Sequence, residues 1–339
     1  EKEKWLKVRG KRSKGKWIEE GWIEKENVSF DKKHVTFAGL YQKARGIDDE
    51  EKRRSRYKEL IDKYGNGGQL EKVFKEIAFN NGKSVSVNSM KEFIDQIGPD
   101  KTIEIASSPL RIDNLKGYRN RDYYKLTEQY DGGPIQLIIK DVNGLTVKAK
   151  NEQVDILHSS IMADVITFEH CEELKIDDLR IGHDRKKGPC EYAVTVFEDC
   201  NEVMIDNCEF FGSGAEGIKT EECKNMDIYN TEITDCSYRP VNILTSKNIK
   251  FKDCRINNNP SVFSSFTISK SDKIAIKNCM IRNNEMKRGP LVFSEKSNDI
   301  SIIDSRIVGN TVKGPITNDR ESVSIESSDI KGNHFNQES

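Results

Sequence analysis

The chain is organised by a short alternation of apolar and polar residues that returns along most of its length. In segments such as "IKNCMIRNN" and "FKDCRINNN", apolar and polar residues are interspersed before an asparagine run. Nine related units begin at residues 100, 142, 171, 200, 223, 246, 271, 297 and 320. The closest starts are 23 residues apart, and a period of that size indicates a repeat architecture.

Each unit contains three short runs with a period of two. In the unit from 271 they are "KIAIKNC", "MIRNN" and "PLVFSEK". A period of two predicts strands, and three short strands per unit fit one coil of a parallel β-helix. Coils of that kind stack about 4.8 Å apart, so equivalent residues form columns along the axis.

Asparagine occupies one such column. Asn259, Asn284, Asn310 and Asn333 each lie at the same position of their unit. A tight corner favours a residue that tolerates left-handed backbone, as asparagine does, so we expect these residues at a corner. We also expect their side chains to hydrogen-bond from coil to coil.

Cysteine and serine interchange in two further columns. The first holds Cys171, Cys200 and Cys223, the second holds Cys208, Cys254 and Cys279, and serines continue both. Exchange between these residues indicates a small buried side chain, so we expect reduced thiols. Cys190 and Cys236 lie outside both columns and are either paired or reactive.

On repeats such as "CNEVMIDNCEFFG" and "SDKIAIKNCMIRNN", the chain resembles the right-handed parallel β-helix proteins of the pectin lyase-like superfamily over about residues 100–335. The resemblance implies an all-β fold with a right-handed parallel β-helix of about nine coils. It leaves the activity open, because that superfamily includes lyases, hydrolases, epimerases, tailspikes and surface proteins.

The N-terminal residues predict other elements. The stretch 5–30 resembles the last strands of a bacterial SH3-like domain on Trp5, Val8, Trp17, Gly21 and Trp22; the alternative is a plain hairpin. Apolar stripes predict helices over 48–64 and 69–79, and a third begins at the capping box of Ser89 and Glu92. We therefore expect a fragment at 1–30, a helical linker at 31–84 and the β-helix at 85–339, with two to three helices capping its N-terminal end.

Composition narrows the function. The 55 basic and 56 acidic residues nearly cancel, which gives no electrostatic case for a nucleic-acid partner. No stretch is long and apolar enough to span a membrane. The sequence begins without Met or a signal peptide, so either a secretory signal has been removed or the sequence starts late. We expect a secreted, periplasmic or cell-surface protein.

Candidate chemistry lies where the repeat is interrupted, at 109–133, 151–164, 182–192, 212–217 and 236–240. Loops stacked at one corner would wall a groove. One column of it would hold Asp164, Glu216 and Arg239, with Tyr192 and Tyr238 one step earlier, and His183, Asp184, Arg185 and Lys186 would overhang it. In the first interruption, Arg119, Tyr123 and Tyr124 suit stacking on a sugar or pairing with an anionic polymer.

Two functions remain open. The first is a non-catalytic, exported bacterial surface or envelope protein that binds a glycan or a protein partner. The second is a polysaccharide-active enzyme, a lyase more than a hydrolase or epimerase, with Arg239, Glu216 and His183 as catalytic residues. We expect no metal and no cofactor, except calcium if the chain is a lyase. The expected partner is a polysaccharide or envelope component, and the C-terminal end is a candidate for oligomerisation.

Overall fold

The chain divides into two compact units, residues 1–80 and 81–339. The structure is a computed structural model that describes residues 83–128, 130–184, 192–261 and 263–335, the backbone of 5–11 and 17–24, and the helical residues Arg56 and Glu59. In the first unit, β1 (Trp5–Lys11) and β2 (Trp17–Glu24) form an antiparallel hairpin. Apart from Arg56 and Glu59, the helices predicted over 48–64 and 69–79 lie outside the described residues. The resemblance to an SH3-like domain stays a prediction.

The second unit is a parallel β-helix of about eight turns, which confirms the predicted all-β fold. Most coils contribute one strand to each of three sheets. Sheet I contains β3 (Lys83–Val87), β4 (Lys101–Ile105), β8 (Leu145–Ala149), β11 (Glu172–Asp177), β14 (Asn201–Asp206), β17 (Lys224–Tyr229), β20 (Lys247–Lys252), β23 (Asp272–Lys277), β27 (Asn298–Ile303) and β30 (Val323–Glu326). Sheet II contains β5 (Leu110–Arg111), β9 (Val154–His158), β12 (Leu179–His183), β15 (Glu209–Phe211), β18 (Glu232–Thr234), β21 (Arg255–Asn257), β24 (Met280–Arg282), β28 (Arg306–Val308) and β31 (Asp329–Lys331).

Sheet III is formed by the third strand of most coils. It contains β6 (Tyr124–Glu128), β7 (Ile135–Lys140), β10 (Ile166–Glu169), β13 (Thr195–Glu198), β16 (Glu216–Glu221), β19 (Arg239–Leu244), β22 (Phe266–Ser269) and β26 (Val292–Glu295). A small fourth sheet of β25 (Glu285–Met286), β29 (Thr311–Val312) and β32 (His334–Phe335) lies beside the last coils. Because strand residues alternate in direction, every second residue faces inward, and Ile176, Ile205 and Ile228 stack in the core with no exposed surface.

The N-terminal end of the β-helix is covered by its own chain. Helix α1 (Met90–Gln96) begins at Ser89, whose Oγ accepts a hydrogen bond from the backbone N–H of Glu92 at 3.2 Å. Its buried side chains, Phe93 among them, join the core. The segment 109–133, predicted as a loop, instead contains β5, a 3-10 turn (Ile112–Leu115) and β6, which pairs antiparallel with β7 and extends sheet III by one strand.

Corners between the sheets are turned by residues with left-handed backbone. Between sheets I and II these are Asp178, Asn207, Asn230, Asp253, Asn278, Asp304 and Ser327, with φ from 46° to 58°. Most are Asn or Asp, the residues that tolerate this conformation best apart from glycine. The adjacent acids Asp177 and Asp178 have different roles. Asp178 turns the corner, whereas Asp177 pairs with Lys175 at 2.9 Å.

At the corner after sheet II, the buried asparagine that follows the left-handed residue joins two coils. Its side chain accepts the backbone N–H of the equivalent residue one coil earlier: Asn259 N–H donates to Asn284 Oδ1 at 3.1 Å, and Asn284 N–H donates to Asn310 Oδ1 at 3.0 Å. The expected asparagine ladder is therefore confirmed. The expectation that these same asparagines are left-handed is wrong, because the residue before each of them, such as Asn283 at φ 53°, turns the corner.

Seven of the eight cysteines are described, and all seven are buried and free. The predicted small, reduced interior thiols are confirmed for the two columns, and burial raises the pKa of the Cys208 thiol far above its usual range. Cys236, outside the two columns, is free and buried, so its predicted pairing is wrong. It begins the asparagine ladder, since its backbone N–H donates to Asn259 Oδ1 at 2.8 Å. Cys190 lies outside the described residues.

The paired asparagines of one corner provide a test of this arrangement. Asn284→Ala removes the acceptor of the buried Asn259 N–H, so we expect the free energy of unfolding to fall by about 2–3 kcal/mol. Asn283→Gly, one residue earlier, suits the left-handed corner and should leave stability close to wild type. Urea denaturation of both variants measures the difference. Equal losses would contradict the assignment of separate roles.

Candidate functional site

The segments that lead from sheet II to sheet III stack at one corner of the β-helix. Their described residues are 159–165, 184, 192–194, 212–215 and 235–238, and those of a further segment are 258–261 and 263–265. The first four segments overlap interruptions that the sequence predicted. The flanking residues of those interruptions belong to the neighbouring strands. The segment at 258–265 was not predicted, because its length is hidden within a 25-residue unit (246 to 271).

One column of outward-facing residues runs along the start of sheet III. Glu216 and Arg239 are register partners at the beginning of β16 and β19. Asp164 stands two residues before Ile166, which aligns through Thr195 with Ile218, two residues after Glu216. Asp164, Glu216 and Arg239 therefore occupy equivalent positions on three of four consecutive coils, as the unit spacing predicts.

Asp164 links three coils through its two oxygens. Oδ1 accepts the backbone N–H of Ala193 at 2.6 Å, and Oδ2 accepts from Gln136 Nε2 at 2.6 Å. Gln136 Nε2 also donates to Thr167 Oγ1 at 2.8 Å. Burial outweighs these hydrogen bonds and raises the pKa of Asp164 to about 6. The carboxyl group therefore changes charge near neutral pH.

Glu216 is the most enclosed acid of this column, with 8% of its surface exposed. Its Oε1 accepts from Asn242 Nδ2 at 3.2 Å and lies 3.9 Å from Arg239 Nη1. Burial raises the pKa of Glu216, and the nearby cations Arg239 and Lys219 oppose that rise. Lys219 in turn pairs with Glu221 at 2.9 Å. The site thus places a buried carboxyl group of raised pKa beside a guanidinium.

Aromatic rings continue the site toward the C-terminus. The Arg239 guanidinium carbon lies 4.6 Å from the ring centroid of Tyr238 and 5.3 Å from that of Phe263. Phe263 is 6.3 Å from Tyr238 and 5.1 Å from Phe293, centroid to centroid. We call Tyr238, Phe263 and Phe293 the aromatic row. Tyr238 is its most accessible member, with 36% of its surface exposed.

Unpaired polar atoms lie next to the aromatic row. Asn242 and Thr267 are register partners in β19 and β22, and both are at least 95% buried. Asn242 Oδ1 and Thr267 Oγ1 have no hydrogen-bond partner within the described part of the chain. Buried polar atoms are almost always paired, so these two indicate a place where a water molecule or a ligand group completes the bonding.

The chain matches the family model described as "Right handed beta helix region" over residues 164–333. It belongs to the right-handed β-helix family. This β-helix protein is similar in fold to the surface adhesin PfbA of Streptococcus pneumoniae, with 11% identity, a TM-score of 0.37, and coverage of 87% of this chain and 90% of the other.

Two further solved structures show the same likeness of fold. One is an alginate lyase from Paenibacillus, with 11% identity, a TM-score of 0.34, and coverage of 74% of this chain and 97% of the other. The second is the A-module of the mannuronan C-5 epimerase AlgE4 of Azotobacter vinelandii, with 12% identity, a TM-score of 0.32, and coverage of 75% and 81%. No curated protein matches the chain.

Several predicted site residues lie elsewhere. The prediction that His183 overhangs the groove is wrong, because its ring is 97% buried and its Nε2 donates to the Ala163 carbonyl at 3.0 Å. His183 faces His158 at 6.3 Å, centroid to centroid. Asp184 pairs with Arg111, and the carbonyl of the half-buried Tyr192 accepts from Ser213 Oγ at 2.8 Å. Arg185 and Lys186 lie outside the described residues.

The residues expected from 109–133 do not form part of this site. Tyr124 is a core residue with 2% of its surface exposed, so its predicted ligand contact is wrong. Tyr123 is half-buried and packs against the same core. Arg119 is exposed on the connection that leads into β6, at the N-terminal end of sheet III.

Sequence reasoning missed Lys219, Asn242 and Phe263. Lys219 and Asn242 are register partners three residues after Glu216 and Arg239, and a polar residue within a strand carries no distinguishing signal before neighbouring coils are placed.

Within the described residues, no group of three or more His, Cys, Asp or Glu side chains is arranged to hold a metal ion. Calcium remains an expectation tied to the lyase alternative. The same residues include no helix that is long and apolar enough to cross a membrane.

The raised pKa of Asp164 predicts a specific pH dependence. The pKa of Asp164 in the folded protein is about 6, above the usual 3.8, so protonation of Asp164 favours the folded state. This contribution to the free energy of unfolding is complete below the usual pKa and is lost as the pH rises through about 6. Relative to wild type, Asp164→Asn should therefore gain about 1–2 kcal/mol of stability between pH 4 and pH 7, after allowance for its partial exposure. Urea denaturation across that range measures the difference.

Burial lowers the pKa of His183, which destabilises the fold as pH falls below 6.5. That contribution is present in both proteins and cancels in the comparison. Parallel pH profiles for the variant and the wild type would contradict the assignment to Asp164.

Proposed function

We propose that this protein binds a glycan on the outer face of sheet III and does so without catalysis, as an exported bacterial surface or envelope protein. The observation that carries the proposal is the aromatic row beside the unpaired Asn242 and Thr267 side chains. A protein partner on the same face is the other ligand class that the sequence analysis left open.

The chemistry of the face suits a sugar. A sugar ring has an apolar C–H face that packs on an aromatic ring and hydroxyl groups that need hydrogen-bonding partners. The aromatic row supplies rings on three successive coils, a span of about 10 Å along the axis. Asn242 Oδ1 accepts a hydroxyl proton, and the Arg239 guanidinium donates to a ring or hydroxyl oxygen.

Truncation of the exposed ring tests the proposal. Tyr238→Ala should weaken glycan binding about tenfold because it removes the accessible stacking surface, whereas Tyr238→Phe should retain most of the affinity. Tyr130→Ala is the matched control, since Tyr130 is 59% exposed in the connection between β6 and β7, four coils before Tyr238. A glycan array identifies a ligand, and calorimetry compares the variants. Binding of a protein but of no glycan would contradict the proposal.

The second candidate is a polysaccharide lyase. Glu216 favours it, because a carboxyl group with a raised pKa 3.9 Å from Arg239 can hold a proton beside a cation that attracts a uronate. In that reading Arg239 neutralises the substrate carboxylate, and the Glu216 carboxylate takes the proton from C5 of the uronate. The C4–C5 double bond forms as the C4–O bond breaks, and Glu216 passes the same proton to the leaving oxygen.

The lyase alternative predicts that Glu216→Gln abolishes release of unsaturated sugar while glycan binding is retained, because the amide keeps the shape but holds no transferable proton. Glu232→Gln on sheet II is the control and should behave as wild type. Ultraviolet absorbance of unsaturated products over a panel of uronate polymers measures the reaction. Absence of product from the wild-type protein across the panel would exclude the lyase.

A further inference from the structure

A second functional surface lies on the outer face of sheet II over the last four coils. Strand register places Arg255, Met280, Arg306 and Asp329 in one outward column and Asn257, Arg282, Val308 and Lys331 in the next. The cations alternate between the two columns from coil to coil. We call Arg255, Arg282, Arg306 and Lys331 the cation row.

The cation row is less compensated than the rest of the same face. Earlier in the first column, Arg180 is held by Asp155 at 3.0 Å and by Glu209 at 2.7 Å. Arg255 and Arg282 are exposed and make no ion pair within the described residues. The one acid in the two columns on these last four coils, Asp329, lies 2.7 Å from Lys331 and 3.9 Å from Arg306. Unpaired guanidinium groups on a sheet face are available to an anionic ligand.

The charge of the chain is also divided along the axis. Residues 83–244 carry 19 basic and 30 acidic side chains, a net charge of −11, whereas residues 245–339 carry 15 and 11, a net charge of +4. An anionic polymer is therefore repelled by the earlier coils and attracted to the coils that hold the cation row.

We propose that the cation row binds a linear acidic glycan. Arg255 and Arg306 are two coils apart in one column, and so are Arg282 and Lys331 in the next, a separation of about 9.6 Å. Such a spacing suits a polymer with a carboxylate on every second sugar. Each guanidinium pairs with one carboxylate through two hydrogen bonds, and Met280 and Val308 offer apolar contact between them.

Two features favour a glycan over a nucleic acid. A nucleic-acid strand carries one charge about every 3.4 Å, which is far denser than the cation row. Single-stranded binding also relies on aromatic rings for base stacking, and the residues of these two columns include none. The surface lies on a different sheet from the aromatic row, so it does not rest on the function proposed for sheet III.

Hyaluronan oligosaccharides, with one carboxylate per disaccharide, provide the probe. We expect the wild-type protein to bind them and to lose affinity as salt is raised, because the contacts are solvent-exposed charge pairs. The double variant R255E/R282E should weaken binding at least about tenfold. R282K keeps the charge but loses the paired donors, so it should fall between the two.

The double variant K91E/K125E is the control, because it makes the same change of net charge on exposed lysines near the N-terminal end. It should bind hyaluronan as wild type does, and Tyr238→Ala should as well. The proposal is overturned if R255E/R282E binds normally, if K91E/K125E loses as much affinity, or if a single-stranded DNA oligonucleotide binds as tightly as hyaluronan. Circular dichroism verifies the fold of each variant.

Discussion

Every coil of this β-helix must turn its corners without leaving a buried backbone N–H unpaired. The structure meets that constraint with two adjacent residues, one with left-handed backbone and one whose small polar side chain accepts from the coil before. Asn283 and Asn284 show the division clearly, since the first has φ 53° and the second bonds Asn259 and Asn310. The stacking of the sheets, the burial of the thiols and the packing of the isoleucine core all depend on this pair of corner residues.

Because the corners and the interior are repetitive, the outer faces are where coils differ. On sheet III the outward residues combine a buried acid, a guanidinium and aromatic rings, a set that a uniform solvent-facing strand does not need. On sheet II the outward residues change from compensated pairs around Arg180 to the unpaired Arg255 and Arg282. Each face therefore presents a different chemistry on one common scaffold, as expected for a fold whose function is not set by its architecture.

Prediction of the candidate site succeeded where it needed only the repeat register. Asp164, Glu216 and Arg239 share a column because the unit length fixes it. Prediction failed for His183, at the edge of one interruption, and for Tyr124, within another, because both side chains are buried. It also missed Asn242 and Phe263, since an asparagine in a strand and a phenylalanine in a loop carry no signal until neighbouring coils bring them together.

The sequence by itself determined the coil, the parallel strands, the buried cysteine and serine columns and the asparagine ladder, because a period of two within a recurring unit leaves few alternative registers. Only the tertiary structure decided which side chains are enclosed and which charges are left unpaired. Burial of Glu216 and exposure of Arg282 arise from residues one coil away, about 25 positions distant in sequence. The local sequence pattern cannot predict such contacts, because they form only when the coils stack.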